Sequence, residues 1–160
     1  MRVIIRAVGK AAAGEEGLLA ERYRLRAEQF GRGLGVSTVT VQELAESKAR
    51  SAEERKTAEG KQLLADLPAR ATIVALDERG AQLTSQAFAD LFGRWREAGR
   101  ADIIFIIGGA DGLAGEIGER AEKRLAFGAA TWPHLLVRVL LLEQIYRAFT
   151  ILAGHPYHRA

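Results

Sequence analysis

The stretch Ile103-Ile104-Phe105-Ile106-Ile107-Gly108-Gly109-Ala110-Asp111-Gly112 decides how this chain folds. Five large apolar residues in a row leave no polar face. A strand of that kind is covered on both sides, as in the parallel sheet of an α/β protein. Upstream, residues 72–76 (TIVAL) form a second apolar strand, and Asp77-Glu78-Arg79-Gly80 reads as the turn that ends it. Between the two strands, Thr84 or Ser85 can cap a helix over residues 86–98, with Phe88, Leu91, Phe92 and Trp95 on one face. Residues 3–8 (VIIRAV) predict an N-terminal strand ending at Gly9. Residues 15–30 predict a helix stopped by GRGLG at 31–35. Residues 36–41 (VSTVTV) alternate as a half-buried strand does.

Residues 45–66 are polar. Through Glu59 they read as a solvated loop, or as a mobile basic arm using Lys48, Arg50, Arg55 and Lys56; a short helix at 62–67 then ends at Pro68. Downstream of the glycines, residues 113–125 predict a helix and residues 127–132 a short strand or loop. Pro133 opens a last helix running to about Leu152. Strands alternating with helices give a mostly parallel sheet covered on both faces, with ligands expected at the carboxyl ends of its strands.

Composition agrees with a globular protein: 160 residues, 48% hydrophobic and 27% charged. One domain over residues 1–160 is the expectation. With no cysteine, disulfides, thiolate nucleophiles and cysteine-based metal sites are excluded. No metal is expected elsewhere, since His155 and His158 have only Glu143 as a close carboxylate on the tail side. The net charge of +3 is too small to mark a nucleic-acid binder by itself, but residues 133–160 carry three arginines, one glutamate and all three histidines. A polyanion would meet that end of the chain. The N-terminus does not read as a secretory signal. The apolar segment 134–154 carries Arg138, Glu143 and Arg147, so it fails as a membrane span. A cytoplasmic protein is expected.

The glycine segment is neither a dinucleotide fingerprint nor a phosphate loop. The third and sixth positions counted from Gly108 are alanine and leucine, and no Lys-Ser/Thr follows. It is either a plain strand-to-helix turn or a place where the main chain approaches a flat ligand. Residues 127–134 (FGAATWPH) are either packing near a turn or a second wall of the same pocket. The last helix is apolar nearly all round, which fits a helix buried within one chain or one shared with a second copy. Arg138 and Arg147 on it either pair with Glu143 or reach an anionic group. The ending GHPYHRA is either an ordinary tail or an RNA contact, with Arg for phosphate and Tyr and His for stacking.

Taken together, RAVGK, LDERG, IIGGADGL, TWPHLLVRVLLLEQIYRAF and the terminal HPYHR occur in the order of one family. Over essentially all 160 residues the chain resembles the ribosomal RNA large-subunit methyltransferase H family of the SPOUT superfamily. The resemblance implies S-adenosylmethionine-dependent methylation of N3 of a pseudouridine in 23S ribosomal RNA, in the assembled ribosome. It also implies a homodimer and a C-terminal trefoil knot, a rare exception to unthreaded topology. Position by position it places the cofactor at Leu76, Gly108, Gly109, Phe127, Gly128, Ala129, Ala130, Thr131 and Trp132. RNA falls to Arg138, Arg147, His155, Tyr157 and Arg159. His158 is the candidate general base, with RNA contact as its rival role. The alternatives are a non-catalytic nucleotide- or RNA-binding module, or a SPOUT enzyme with another RNA target.

Overall fold

The computed structural model describes residues 1–11 and 14–158. At its centre is β4 (Asp102–Ile107), whose six residues are all buried: Ile103 to Ile107 are apolar throughout, and Asp102 at the start pairs with Arg2. It lies between β1 (Arg2–Val8) and β3 (Thr72–Gln82). β2 (Thr38–Leu44) flanks β1, and β5 (Lys123–Ala126) flanks β3, giving the order β2-β1-β4-β3-β5. Every pairing is parallel.

Successive side chains of β4 point to opposite faces, and each face has its own helices. Ile103, Phe105 and Ile107 belong to the larger core, under α1 (Glu15–Gly31), α3 (Ser85–Glu97) and α5 (His134–Leu152). Ile104 and Ile106 meet the smaller core under α2 (Ala52–Leu64) and α4 (Gly115–Arg120). Aromatic rings knit the larger one: Phe92 packs edge-on against Phe149 at 5.1 Å and Trp95 at 5.3 Å. Burying each such side chain contributes about 1.5–3 kcal/mol.

Three sequence expectations change, and one open alternative closes. Residues 52–59, read as loop, are helical. Ser51 accepts from the Glu54 backbone N–H at 3.2 Å while the Glu54 side chain takes the Ser51 N–H, a capping box that starts α2 without large apolar residues. The helix predicted over 113–125 is only α4, and residues 123–126 are instead the fifth strand, recruited by the free edge of β3. The strand β3 does not end at Leu76. Leu76 and Ala81 both align with Leu125, so residues 77–80 form an excursion from the ladder, and Asp77 accepts the Arg79 N–H at 2.9 Å. The predicted turn is there, but inside the strand. Residues 127–132 are loop.

The last helix finds most of its partners in its own chain. It lies against α1 and α3 and buries Val139, Leu141, Leu142, Ile145, Ala148 and Phe149. Its all-round apolarity is therefore largely accounted for without a second copy. Leu136 is its one exposed large apolar residue, at 37%.

Candidate functional site

The ends of β4 and β5 and the break in β3 between them open on one cleft of about 800 Å³. The break within β3 supplies Leu76 and the excursion through Asp77, Glu78 and Arg79. The end of β4 supplies Ile107 and residues 108–113. After β5 come Phe127, Gly128, Ala130, Thr131 and Trp132, with His134 and Val137 of α5 beyond them. Ala129 lies in the same loop but is not among the lining residues.

The glycine segment turns sharply. Gly112 donates its N–H to the Gly109 carbonyl at 3.0 Å, and Gly108 faces the returning chain so closely that a Cβ on it would lie 2.7 Å from the Gly112 oxygen. Only glycine fits there, and the Ala110 and Asp111 N–H groups have no hydrogen-bond partner among the described residues. The opposite wall is tied at two points. The Trp132 indole N–H donates to the Phe127 carbonyl at 3.0 Å, and the Thr131 hydroxyl donates to Glu78 at 3.1 Å. The second tie joins the loop after β5 to the β3 excursion. Trp132 itself is 45% exposed, a large ring at the mouth.

The site's charges are arranged unevenly. Asp77, Glu78 and Asp111 line the cleft against Lys56 and Arg79. Asp111 is gripped by Arg55, Nε to Oδ2 at 2.6 Å and Nη2 to Oδ1 at 3.0 Å. Arg55's hydrogen bonds hold the Asp111 carboxyl below its ordinary value, and Asp111 raises Arg55 in return. Lys56 and Arg55 thus do not belong to a mobile arm: both stand on α2, which leans on the glycine segment.

The candidates for the target side lie elsewhere. Arg147 donates through Nε and Nη2 to Glu143, the Tyr157 hydroxyl donates to the same Glu143 oxygen at 3.1 Å, and the Arg147 guanidinium sits 4.8 Å from the Tyr157 ring centre. Burial pushes the Tyr157 phenol up, and the Glu143 hydrogen bond raises Arg147. His155 packs edge-on against Phe30 at 5.2 Å. His158 is half-buried, and its Nδ1 has no hydrogen-bond partner among the described residues. Arg159 lies outside the described residues.

Arg138 is placed differently from the other cations. It is 2% exposed, donates to Glu43 at the end of β2, and donates to the Gly9 carbonyl at 2.9 Å. Its anionic partner is a carboxylate of the same chain, and it faces the protein interior. Sequence reasoning placed His134 only as the last residue of the candidate wall at 127–134, where it does line the cleft, and did not find Glu59 as a buried residue. His134 carried a signal, standing directly after the Trp132-Pro133 step that opens α5; Glu59 carried none in a stretch read as solvated.

Residues 1–158 match the family model described as "Predicted SPOUT methyltransferase". The chain is 55% identical over 160 residues to a ribosomal RNA large subunit methyltransferase H from Rhodopseudomonas palustris, covering 100% of both chains. It is 55% identical over 159 residues to the protein of the same name from Nitrobacter winogradskyi, covering 99% of each. A solved structure of a probable methylase family protein from Haemophilus influenzae Rd KW20 superposes with a TM-score of 0.51 at 10% identity, over 99% of this chain and 70% of that one, which shows a shared fold. With a family match over residues 1–158 and relatives at 55% identity end to end, the chain belongs to the SPOUT methyltransferase family.

Proposed function

We propose that this chain methylates N3 of a pseudouridine in 23S ribosomal RNA of the assembled ribosome, with S-adenosylmethionine as methyl donor. The observation that carries the reading is convergence. Segments far apart in sequence, marked by the family resemblance at Leu76, Gly108 and Phe127 to Trp132, come together at one cleft. Its volume lies in the range of small-molecule sites. It offers bare main-chain groups and no phosphate-gripping lysine motif, which suits a donor without phosphate.

Leu76, Gly108, Gly109 and the loop at 127–132, Ala129 included, would hold the donor, and when bound it supplies an electrophilic methyl group. The rest falls to the chain itself. The glycine segment presents hydrogen-bonding main-chain groups to the adenosine part. The Thr131–Glu78 tie fixes the facing wall. Arg147, His155, Tyr157 and Arg159 contact the RNA, through charge for phosphate and rings for an unpaired base. His158 accepts the proton that leaves N3, and positioning of the two bound partners supplies much of the acceleration. Arg138 drops out of the RNA contacts and works as an internal clasp.

The reading includes a homodimer. In its own chain Tyr157 is tied to Glu143, six residues along α5 from Val137 in the cleft wall. That is about 9 Å down the helix axis. A second copy would bring its tail to the cleft from outside. A C-terminal trefoil knot and a cytoplasmic address belong to the same reading. The ribosomal substrate supports the address; no helix among the described residues is long and apolar enough to cross a membrane.

Two measurements test the proposal. Titration with S-adenosylhomocysteine, the demethylated product, should release heat with one binding constant; absence of heat would remove the cofactor assignment. Mass spectrometry of ribosomal RNA from a strain lacking this chain should show one pseudouridine short of one methyl group. The intact chain should restore it and His158→Ala should not. An unchanged single-turnover rate in His158→Ala would end its role as base.

A further inference from the structure

The glycine wall of the cleft does not stand alone. Helix α2 meets it and the residue just beyond it at three points. Arg55 grips Asp111 with two hydrogen bonds. Gly60 approaches so closely that a Cβ on it would lie 2.8 Å from the Ala114 Cβ. Between them sits Glu59, only 5% exposed. Its Oε1 accepts the Ser47 N–H at 2.9 Å. Its Oε2 is buried with no hydrogen-bond partner among the described residues, and it lies 3.0 Å from where a Cβ on Gly109 would stand.

An unmatched buried carboxylate oxygen is a cost to the fold, so packing alone does not account for a glutamate here. The chemistry of the spot supplies a reason. Oε2 is an acceptor held against Gly109, next to Ala110, whose main-chain N–H has no hydrogen-bond partner among the described residues. We infer that Glu59 is a positioning residue: its free oxygen takes a main-chain N–H of residues 109–110 when the cleft is filled, and so sets the conformation of the wall that meets the methyl donor. The inference rests on the cleft being the donor's site. Arg55 serves the same end. Its Nη1 donates to the carbonyls of Ala49 and Arg50, each at 3.2 Å, so one guanidinium holds both the glycine segment and the segment that carries Ser47. Through Ser47, Glu59 is oriented from behind.

Glu59→Gln tests this directly. The amide has one acceptor oxygen, so it can serve Ser47 or the loop but not both. The full-length chain is titrated with S-adenosylhomocysteine, its melting temperature is followed in parallel, and KM is measured separately for the donor and for ribosomes. We expect Glu59→Gln to raise the Kd for S-adenosylhomocysteine and the KM for the donor by about tenfold, with the KM for ribosomes and the melting temperature nearly unmoved. A Kd within about twofold of the parent's overturns the role, as does a loss shared equally by ribosome affinity. Should Glu59→Gln not fold, Asp111→Asn removes one grip of the same clamp from the exposed side. It should weaken donor binding by several-fold, and unchanged binding overturns the clamp. If the unaltered chain fails to bind S-adenosylhomocysteine, the cleft assignment itself falls. If it binds and Glu59→Gln matches it, only the positioning role falls.

Discussion

Arg138→Met separates an internal clasp from an RNA contact. The guanidinium is 2% exposed and bridges three parts of the chain: α5, the Glu43 carboxylate at the end of β2, and the Gly9 carbonyl after β1. Methionine keeps most of the apolar stem and removes the charge. Breaking a buried pair by deleting one partner costs about 3–5 kcal/mol when the other charge is stranded. Here Glu43 is only partly stranded, because its side chain is 27% exposed and it still accepts the Ala11 N–H at 2.9 Å. The Arg138 Nε has no partner among the described residues, and methionine relieves that cost. The low end, about 3 kcal/mol, is therefore expected, equivalent to a fall of roughly 6–12 °C in melting temperature for a chain of this size. Urea unfolding at fixed protein concentration measures it, with the slope unchanged and the midpoint lowered. Arg138→Met/Glu43→Gln should recover part of the loss, since no buried charge is then left alone. A loss under about 1 kcal/mol, with methylation abolished through weaker ribosome binding, would refute the clasp and return Arg138 to the RNA.

Other perturbations read other parts of the structure. Gly108→Ala places a Cβ 2.7 Å from the Gly112 oxygen, a backbone atom that cannot swing aside, so S-adenosylhomocysteine titration should show at least about a tenfold loss of affinity. Ser51→Ala removes the side-chain half of the capping box and should cost about 1 kcal/mol in denaturant unfolding. The Arg55–Asp111 pair depresses the folded-state Asp111 value below its ordinary 3.8. A depressed carboxyl stabilises above its ordinary range and loses that contribution as pH falls through the depressed value. The acid limb of stability against pH should thus be shallower in Asp111→Asn than in the parent below about pH 4. Identical limbs would show that the pair does not couple to folding.

What could be read from the sequence follows physical strength. β4 announces itself because burial on both faces makes Ile103 to Ile107 apolar without a break. α3 does so because Phe88, Leu91, Phe92 and Trp95 repeat at helical spacing. α2 was hidden because its first two turns bury almost nothing apolar. Its signal was the serine and glutamate three apart at Ser51 and Glu54, a local cue that hydropathy misses. β5 was hidden for the opposite reason: with Leu125 and Ala126 its only buried residues, it exists because β3 offers it an edge. The glycine segment and the loop at 127–132 were visible as candidate walls, since small residues after a strand limit what the backbone can do. Glu59 and the inward turn of Arg138 were not, because a charged residue's burial depends on partners 50 to 130 positions away or across a helix.

The register of the sheet also bears on how the chain reaches this state during synthesis. Arg2 aligns with Asp102, so the first strand waits for about a hundred residues before its central neighbour exists. Phe149, fully buried and 5.1 Å from Phe92, belongs to the last helix to be made. The larger core therefore cannot close on a partial chain. Pairing at such separations is slow, and apolar surface stays open meanwhile. Nascent chains ending before α5 should be held by chaperones or degraded, and truncation near the C-terminus should cost solubility well before it touches the cleft.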